Sequence, residues 1–462
     1  MNNKTNLKIL SALLLLFFVC SISKAMFFMP SEAPVDRLIV NTTAFTKEHP
    51  NDPNGYYILG RIHYLAFSLK TKNINVYGYD EIHLPRLAES WRLYFVKDMA
   101  AGKLARNELG LSSILGISKE ERKQLEEITK QKRKEIDLMD WDSINAIDSK
   151  YATINPITDS NQLILHASEA MKCFNKAIDM SPDNALYCLG YASLIEQYFN
   201  YLKYKEIKEL PDELRNIKLE KAKDFYYQAY NLSIKEDLIY KPRIAWATKG
   251  LTAYEAGSAL IRLAEQNVLF SEEERNKLPE IKENIKKLDK MGGAITPIVF
   301  SLEKTISPTN LLERNLQVNF DLDGDGANEL WPWVKPSTGI LVWNEKGKGE
   351  ITSGRQMFGS VTWWLFFNDG YHALDCLDDN RDGSLSGEEL SGISVWFDTN
   401  SNGKSEKDEI KSLDELGIIS ISTKSTSTEN GWPANKTGMT LKSGQTIPTY
   451  DWIAKPIKNG KL

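Results

Sequence analysis

Two stretches in the last third of the chain, 378–389 and 398–409, carry oxygen-bearing side chains at the same spacing. Each begins with Asp, has Gly at position six and ends with Glu at position twelve. Positions one, three, five, nine and twelve are occupied by Asp378, Asn380, Asp382, Ser386 and Glu389 in the first stretch, and by Asp398, Asn400, Asn402, Glu406 and Glu409 in the second. A polar turn would explain the Asp, Asn and Gly residues. It would not explain why both stretches end with Glu at the same position.

This spacing suits a hard cation that takes six to eight oxygen ligands. Alternate side chains supply oxygens, a glycine bends the chain, and a carboxylate at position twelve returns two oxygens. Position seven contributes its backbone carbonyl, here from Ser384 and Lys404. The two stretches resemble the calcium loops of the EF-hand family, and this resemblance implies that each binds Ca²⁺. The second is the weaker copy, because Ser405 stands where an apolar residue usually lies.

The two predicted loops are too close in sequence for two complete helix-loop-helix units. The segment 389–397 leaves the first loop and enters the second. It is either a helix of about two turns or a short extended link. In both cases the two sites share one element, so we expect them to be coupled.

A third acidic stretch repeats only the opening of this pattern, because Pro332 occupies position twelve. It resembles the calcium loops of integrin-type β-propellers, in which position nine gives the last ligand. The resemblance implies a third ligand set, formed by Asp321, Asp323, Asp325, Ala327 and Glu329.

The N-terminus has the pattern of a secretory signal peptide, which we place at residues 1–25. Lys4 and Lys8 precede an apolar run at 9–20, and Ser23 and Ala25 stand at the −3 and −1 positions of a cleavage site. An uncleaved N-terminal anchor is the alternative. We therefore expect a secreted or periplasmic, extracytoplasmic protein with no stable membrane span after cleavage. The net charge of −5 gives no electrostatic argument for a nucleic-acid partner.

The remaining chain divides into two kinds of sequence, which predicts a multidomain fold. Residues 26–300 are rich in helix-forming residues and contain fragments that resemble tetratricopeptide repeats. In these fragments Gly60, Ala170 and Ala177 would let helices approach closely, while Phe174 and Tyr226 would fill the space between them. We expect an all-α, irregular helical-repeat domain. It is either a scaffold or a surface that binds a protein or peptide partner.

Residues 301–462 favour strands and turns, which predicts a small α+β module that carries the EF-hand-like loops. Eight of the eleven tryptophans lie here, at positions 331, 333, 343, 363, 364, 396, 432 and 452. They form either the core of the module or a surface that stacks on carbohydrate. The segment 320–423 also resembles the C-terminal part of uncharacterised bacterial secreted proteins, which implies calcium binding and export but no reaction.

We find no pattern for catalysis. The five histidines, at 49, 63, 83, 166 and 372, have no metal-ligand spacing, and nucleophile-elbow, phosphate-loop and zincin motifs are absent from the sequence. Cys173 and Cys188 either pair or remain free. The sequence therefore favours a non-enzymatic calcium-binding protein. The alternative is a calcium-dependent hydrolase or carbohydrate-binding protein that uses the Trp-rich module.

Overall fold

The computed structural model of the chain describes residues 32–75, 123–125, 127–129, 131–132, 157–202, 210–238, 251–265, 270–288, 295–303, 307–324, 328–344, 350–406 and 408–457. The predicted signal peptide at 1–25 lies outside these residues.

The first half of the described chain is helical, apart from a short ladder between strands β1 (Glu32–Pro34) and β2 (Asn73–Asn75). Its helices are α1 (Val35–Glu48), α2 (Pro53–Ser68), α3 (Ser160–Met180), α4 (Ala185–Leu202), α5 (Asp212–Arg215), α6 (Leu219–Leu238), α7 (Leu251–Glu265) and α8 (Glu272–Leu288). The expected helical character of this half is confirmed for the residues described, although the β1–β2 ladder departs from an all-α domain.

The starts of α2 and α3 follow from local sequence. Asp52 caps α2 by accepting a hydrogen bond from the backbone N–H of Asn54 at 2.8 Å, and Pro53 occupies the first helical position. Asp159 caps α3 in the same way through Asn161, at 2.9 Å. Each cap satisfies a backbone donor that has no partner inside the helix.

The helices pack against their neighbours in the order α1–α2–α3–α4–α6–α7–α8. A methyl group at Gly60 of α2 would lie only 2.8 Å from Cδ1 of Phe174 on α3. Ala170, Ala177 and Phe174 are fully buried. The predicted use of small residues for close helix packing is therefore confirmed at this contact.

A charged group is buried in the middle of this helical half. Arg262 of α7 donates to both carboxylate oxygens of Glu196 on α4, at 2.9 Å and 2.6 Å. The hydroxyl of Tyr226 on α6 donates to Glu196 at 2.7 Å. The network connects three helices, and each partner satisfies a polar group that would otherwise be expensive to bury.

The second half is a curled antiparallel sheet with short helical pieces, including α9 (Gly370–Asp375). Its strands are β3 (Ile298–Ser301), β4 (Leu312–Phe320), β5 (Glu329–Val334), β6 (Thr338–Trp343), β7 (Ser384–Ser386), β8 (Ile393–Trp396), β9 (Ile410–Ser412), β10 (Ile418–Ser422), β11 (Ser427–Glu429), β12 (Trp432–Leu441) and β13 (Thr446–Asp451). The strand order is β7-β10-β12-β13-β3-β6-β8-β9, with β11 on β12, and β4 and β5 form a separate hairpin. The expected α+β character is confirmed.

The sheet must curl because β7 and β8 are close in sequence but distant in strand order. They are six strand spacings apart, or about 29 Å in a flat sheet at roughly 4.8 Å per spacing. The seven residue steps from Ser386 to Ile393 reach at most about 25 Å when fully extended. Curling brings the first predicted loop, which contains β7, back towards the second, which follows β8.

The sheet begins before the boundary that we predicted from sequence. Phe300 of β3 pairs with Thr449 of β13, and Val299 pairs with Tyr450. The predicted boundary between residues 300 and 301 therefore lies inside β3.

The tryptophans of the sheet module form its core. Seven of the eight are buried: Trp331, Trp333, Trp343, Trp363, Trp364, Trp396 and Trp452. Trp333 packs edge-to-face against Trp396 and Trp452, with ring centroids 5.8 Å and 6.2 Å apart. These buried indoles are not available to stack on a sugar in solution.

Across the ranges given above, we find no helix with the length and apolar character needed to cross a membrane.

Candidate metal sites

The first predicted loop follows α9 and ends inside a short 3₁₀ helix at Gly387–Leu390. Asp378, at position one, accepts backbone N–H groups from Asp382 at 3.2 Å and from Gly383 at 2.9 Å. Gly383, at position six, has a φ of 88°. That left-handed conformation favours glycine, which explains the residue at this position.

Side-chain oxygens along the first loop accept N–H groups two residues ahead. Asn380 accepts from Asp382, and Asp382 accepts from Ser384, each at 2.8 Å. The Glu389 carboxylate then joins the two ends of the loop. It accepts from Asp379 at 2.9 Å, from Asn380 at 3.1 Å and from Ser386 at 3.0 Å. The backbone thus holds the ligand side chains at positions one, three, five and twelve.

The second predicted loop repeats these bonds position by position. Position one accepts from positions five and six at 3.0 Å and 2.8 Å, position three from five at 3.1 Å, and position five from seven at 2.7 Å. Position twelve accepts from positions two, three and nine at 2.7 Å, 3.3 Å and 3.2 Å. Position four is left-handed in both loops, with φ of 61° at Arg381 and 60° at Ser401. The loops therefore share one hydrogen-bond pattern at the positions named.

The elements that flank the loops are different. The second loop joins β8 to β9, and its ends are closed by a hydrogen bond of 2.9 Å from the N–H of Phe397 to the carbonyl of Glu409. We gave two alternatives for the segment 389–397, a helix of about two turns or an extended link. The extended link is found, because the 3₁₀ helix ends at Leu390 and strand β8 follows it. Neither loop lies between two long helices.

Position eight attaches each loop to a different part of the sheet module. Leu385 is buried and pairs with Ile421 of β10. The hydroxyl of Ser405 accepts the N–H of Ile351 at 2.6 Å. The polar residue at position eight of the second loop therefore has a structural role that the sequence did not reveal.

Burial disfavours the charged form of the aspartate at position one of each loop. Burial raises the pKa of Asp378 and that of Asp398. Burial also acts to raise the pKa of Glu409, but hydrogen bonds from Thr399 and Glu406 outweigh it and lower that pKa to about 2. A bound cation would offset the loss of hydration at Asp378 and Asp398.

Two buried tryptophans support the second loop. The Nε1–H of Trp333 donates to Asp398 at 2.6 Å, and that of Trp396 donates to Glu409 at 3.4 Å. These hydrogen bonds come from the core of the sheet module and hold the carboxylates at positions one and twelve. The role of Trp333 was not predicted, because Trp333 is on β5, far from the loop in sequence.

The third predicted site is described only in part. Asp321 and Asp323 are buried, whereas Asp325 and Ala327 lie outside the described residues. Glu329 begins β5 and pairs with Phe320. The backbone of Asp321 accepts the N–H of Gly354 at 2.8 Å, which brings the segment 351–354 beside this stretch.

The donor set of the loops consists of oxygens of several kinds. No group of three or more His, Cys, Asp or Glu side chains that could hold a metal occurs among the residues described. The predicted ligands also include Asn380, Ser386, Asn400 and Asn402, together with backbone carbonyls. This mixture of oxygens, without nitrogen or sulfur, is what calcium prefers.

Two histidines and two cysteines that we considered from sequence lie in the helical half. Nδ1 of His63 lies 2.9 Å from Nδ1 of His166, and burial lowers the pKa of both rings, that of His63 to about 3. Cys173 and Cys188 are buried free thiols, and burial raises the pKa of each to about 12. Of the two alternatives for these cysteines, the unpaired one is found.

One comparison with known proteins concerns the sheet module. Residues 300–453, which contain both predicted calcium loops, match the SPM domain family. A stretch of 107 residues, 22% of this chain, is 35% identical to the iron-regulated protein FrpA of Neisseria meningitidis serogroup C. That stretch covers only 10% of FrpA, so the chain matches about a tenth of the length of this relative.

Proposed function

We propose that this chain is an exported calcium-binding protein without catalytic activity, in which Ca²⁺ stabilises the sheet module. The observation that carries this proposal is the repeated geometry of the loops at 378–389 and 398–409. Two stretches that differ at most positions adopt the same hydrogen-bond pattern, and both place Asp at position one and Glu at position twelve. Calcium binding explains why positions one, three and twelve are identical and why positions five and nine keep an oxygen-bearing side chain while most other positions vary.

In the first loop, the oxygens that would hold the ion are those of Asp378, Asn380, Asp382, Ser384, Ser386 and Glu389. In the second, they are those of Asp398, Asn400, Asn402, Lys404, Glu406 and Glu409. Ser384 and Lys404 would contribute backbone carbonyls. When bound, the ion supplies positive charge to a group of carboxylates that otherwise repel one another. The loop from Asp321 to Glu329 is proposed as a third site on its ligand pattern alone.

We further propose that the helical half is an irregular tetratricopeptide-like stack that serves as a scaffold or as a protein-interaction surface. The close contacts around Gly60 and Phe174 support this interpretation, since repeat helices use small residues in the same way. Export is proposed from the signal-like N-terminus. It agrees with calcium use, because extracellular calcium keeps even weak sites filled.

The role of position twelve can be tested by replacing Glu389 with Gln. Both oxygens of Glu389 accept N–H groups, and both are expected to face the ion. An amide would remove a charge and turn an NH₂ group towards one of these donors. We expect Glu389→Gln to weaken calcium binding at the first site at least about tenfold, or roughly 1.4 kcal/mol.

The matched control is Ser386→Ala at position nine, where the ligand often acts through water. This change is expected to weaken binding less than Glu389→Gln in a calcium titration of the full chain. If Ser386→Ala has the larger effect, the assigned loop register is wrong.

A further inference from the structure

Helix α1 lies against the back of the first loop. Nε of Arg37 donates to Oδ1 of Asp379 at 2.9 Å, and Nδ2 of Asn41 donates to the same oxygen at 2.7 Å. The same two side chains also donate to backbone carbonyls, Arg37 to Leu377 at 2.8 Å and Asn41 to Cys376 at 2.9 Å. Asn41 is buried. Its bonds are therefore shielded from water, which makes them costly to break.

The C-terminal end of α1 holds the same loop at a second point. Glu48 pairs with Nη2 of Arg381 at 2.9 Å, and Nη1 of Arg381 pairs with Asp375 at 2.7 Å. Between the two points, Phe45 packs edge-to-face on His372, with ring centroids 5.9 Å apart. The contacting residues of α1 share one helical face. They are Arg37, Asn41, Phe45 and Glu48.

The two loop residues that α1 holds lie between predicted calcium ligands. Asp379 is at position two and Arg381 at position four. The backbone N–H of Asp379 donates to Glu389, while its side chain binds α1. One residue thus connects the helix to the carboxylate at position twelve.

The second loop uses the equivalent positions differently. Thr399, at position two, turns its hydroxyl inward and donates to Glu409 at 2.7 Å. The carboxylates of Asp398 and Glu409 are fixed by Trp333 and Trp396 from the core of the sheet module. The second loop is therefore anchored within its own module, whereas the first is also anchored to the helical half.

We propose that the first loop couples calcium binding to the docking of α1 on the sheet module. This inference depends on the proposed function of that loop. Binding an ion requires residues 378–389 to hold one conformation, and the contacts from α1 already fix positions two and four. Each event therefore lowers the ordering cost of the other. The coupling must be reciprocal, so docking should strengthen calcium binding by the same factor by which calcium strengthens docking.

The first arm of the test measures calcium affinity by calorimetry in the full chain. Glu409→Gln weakens the second site so that the titration reports mainly on the first, and Glu389→Gln does the reverse. In the Glu409→Gln background, the pair Arg37→Ala and Asn41→Ala is expected to weaken binding fivefold or more, within the range typical of such coupling. In the Glu389→Gln background, the same pair should change affinity less than twofold. A matched control pair on the same helix is Val40→Ala with Lys47→Ala, since Val40 is 65% exposed and Lys47 is also exposed.

The second arm leaves α1 unchanged and measures amide hydrogen exchange. Calcium is expected to slow exchange in residues 35–48 of the Glu409→Gln chain but not of the Glu389→Gln chain. Helix α8 serves as an internal reference, because it packs on α6 and α7, at the opposite end of the helix order from α1.

The outcomes separate the coupling from the proposed function. The coupling alone is overturned if the calcium affinity of the first site is the same with and without the Arg37 and Asn41 changes. It is also overturned if calcium slows hydrogen exchange in α1 equally in both backgrounds. If the unmodified chain gives no calcium signal at all, the proposed function fails as well.

Discussion

Calcium at about a hundred times its dissociation constant is expected to raise the free energy of unfolding by about 2.7 kcal/mol for each filled loop. The reason is mass action, because the ligand oxygens converge only in the native loops. Two filled loops would therefore add roughly 5 kcal/mol, which is comparable to the total stability of many domains.

The measurement is urea unfolding of the full chain with calcium or with a chelator, followed by tryptophan fluorescence. Most of the tryptophans lie in the sheet module, so this signal reports mainly on that half. The matched control is the double variant Asp378→Ala and Asp398→Ala, which should lose the part of the calcium effect that these two loops provide. A shift of equal size in this variant would show that calcium acts elsewhere on the chain.

The second large effect is expected at the buried network of the helical half. Replacing Arg262 with Met would leave the carboxylate of Glu196 buried without its charged partner. We expect the stability to fall by about 3–5 kcal/mol, the range for removing one member of a buried ion pair. Far-ultraviolet circular dichroism during urea unfolding in chelator would measure this loss in the helices.

The control for Arg262→Met is the double variant with Glu196→Leu, which removes the charge on both sides. Well-packed apolar pairs often equal or exceed the buried ion pairs that they replace. The double variant should therefore be more stable than Arg262→Met alone. If it is less stable, the two residues do not act as an ion pair in the folded chain.

The loops were predictable because their geometry is local. Glycine at position six and the alternating oxygens determine turns that close within a few residues, and the hydrogen bonds of Asp378 and Asp398 are of this kind. The same holds for the start of α2, where Asp52 and Pro53 form a helix N-terminus.

The surroundings of the loops were not predictable because they depend on distant parts of the chain. Arg37 and Asp379 are 342 positions apart, and no local pattern links them. The indole of Trp333 reaches Asp398 only because β5 packs under the second loop. The curl of the sheet likewise follows from its strand order, which alternating apolar residues do not specify.

A calorimetric calcium titration of the full chain would count the ions bound by the two predicted loops. One ion is expected in each of the loops 378–389 and 398–409, and both should be lost in the double variant Asp378→Ala and Asp398→Ala. The absence of binding heat in a folded chain, or the same number of ions in the double variant, would contradict this expectation.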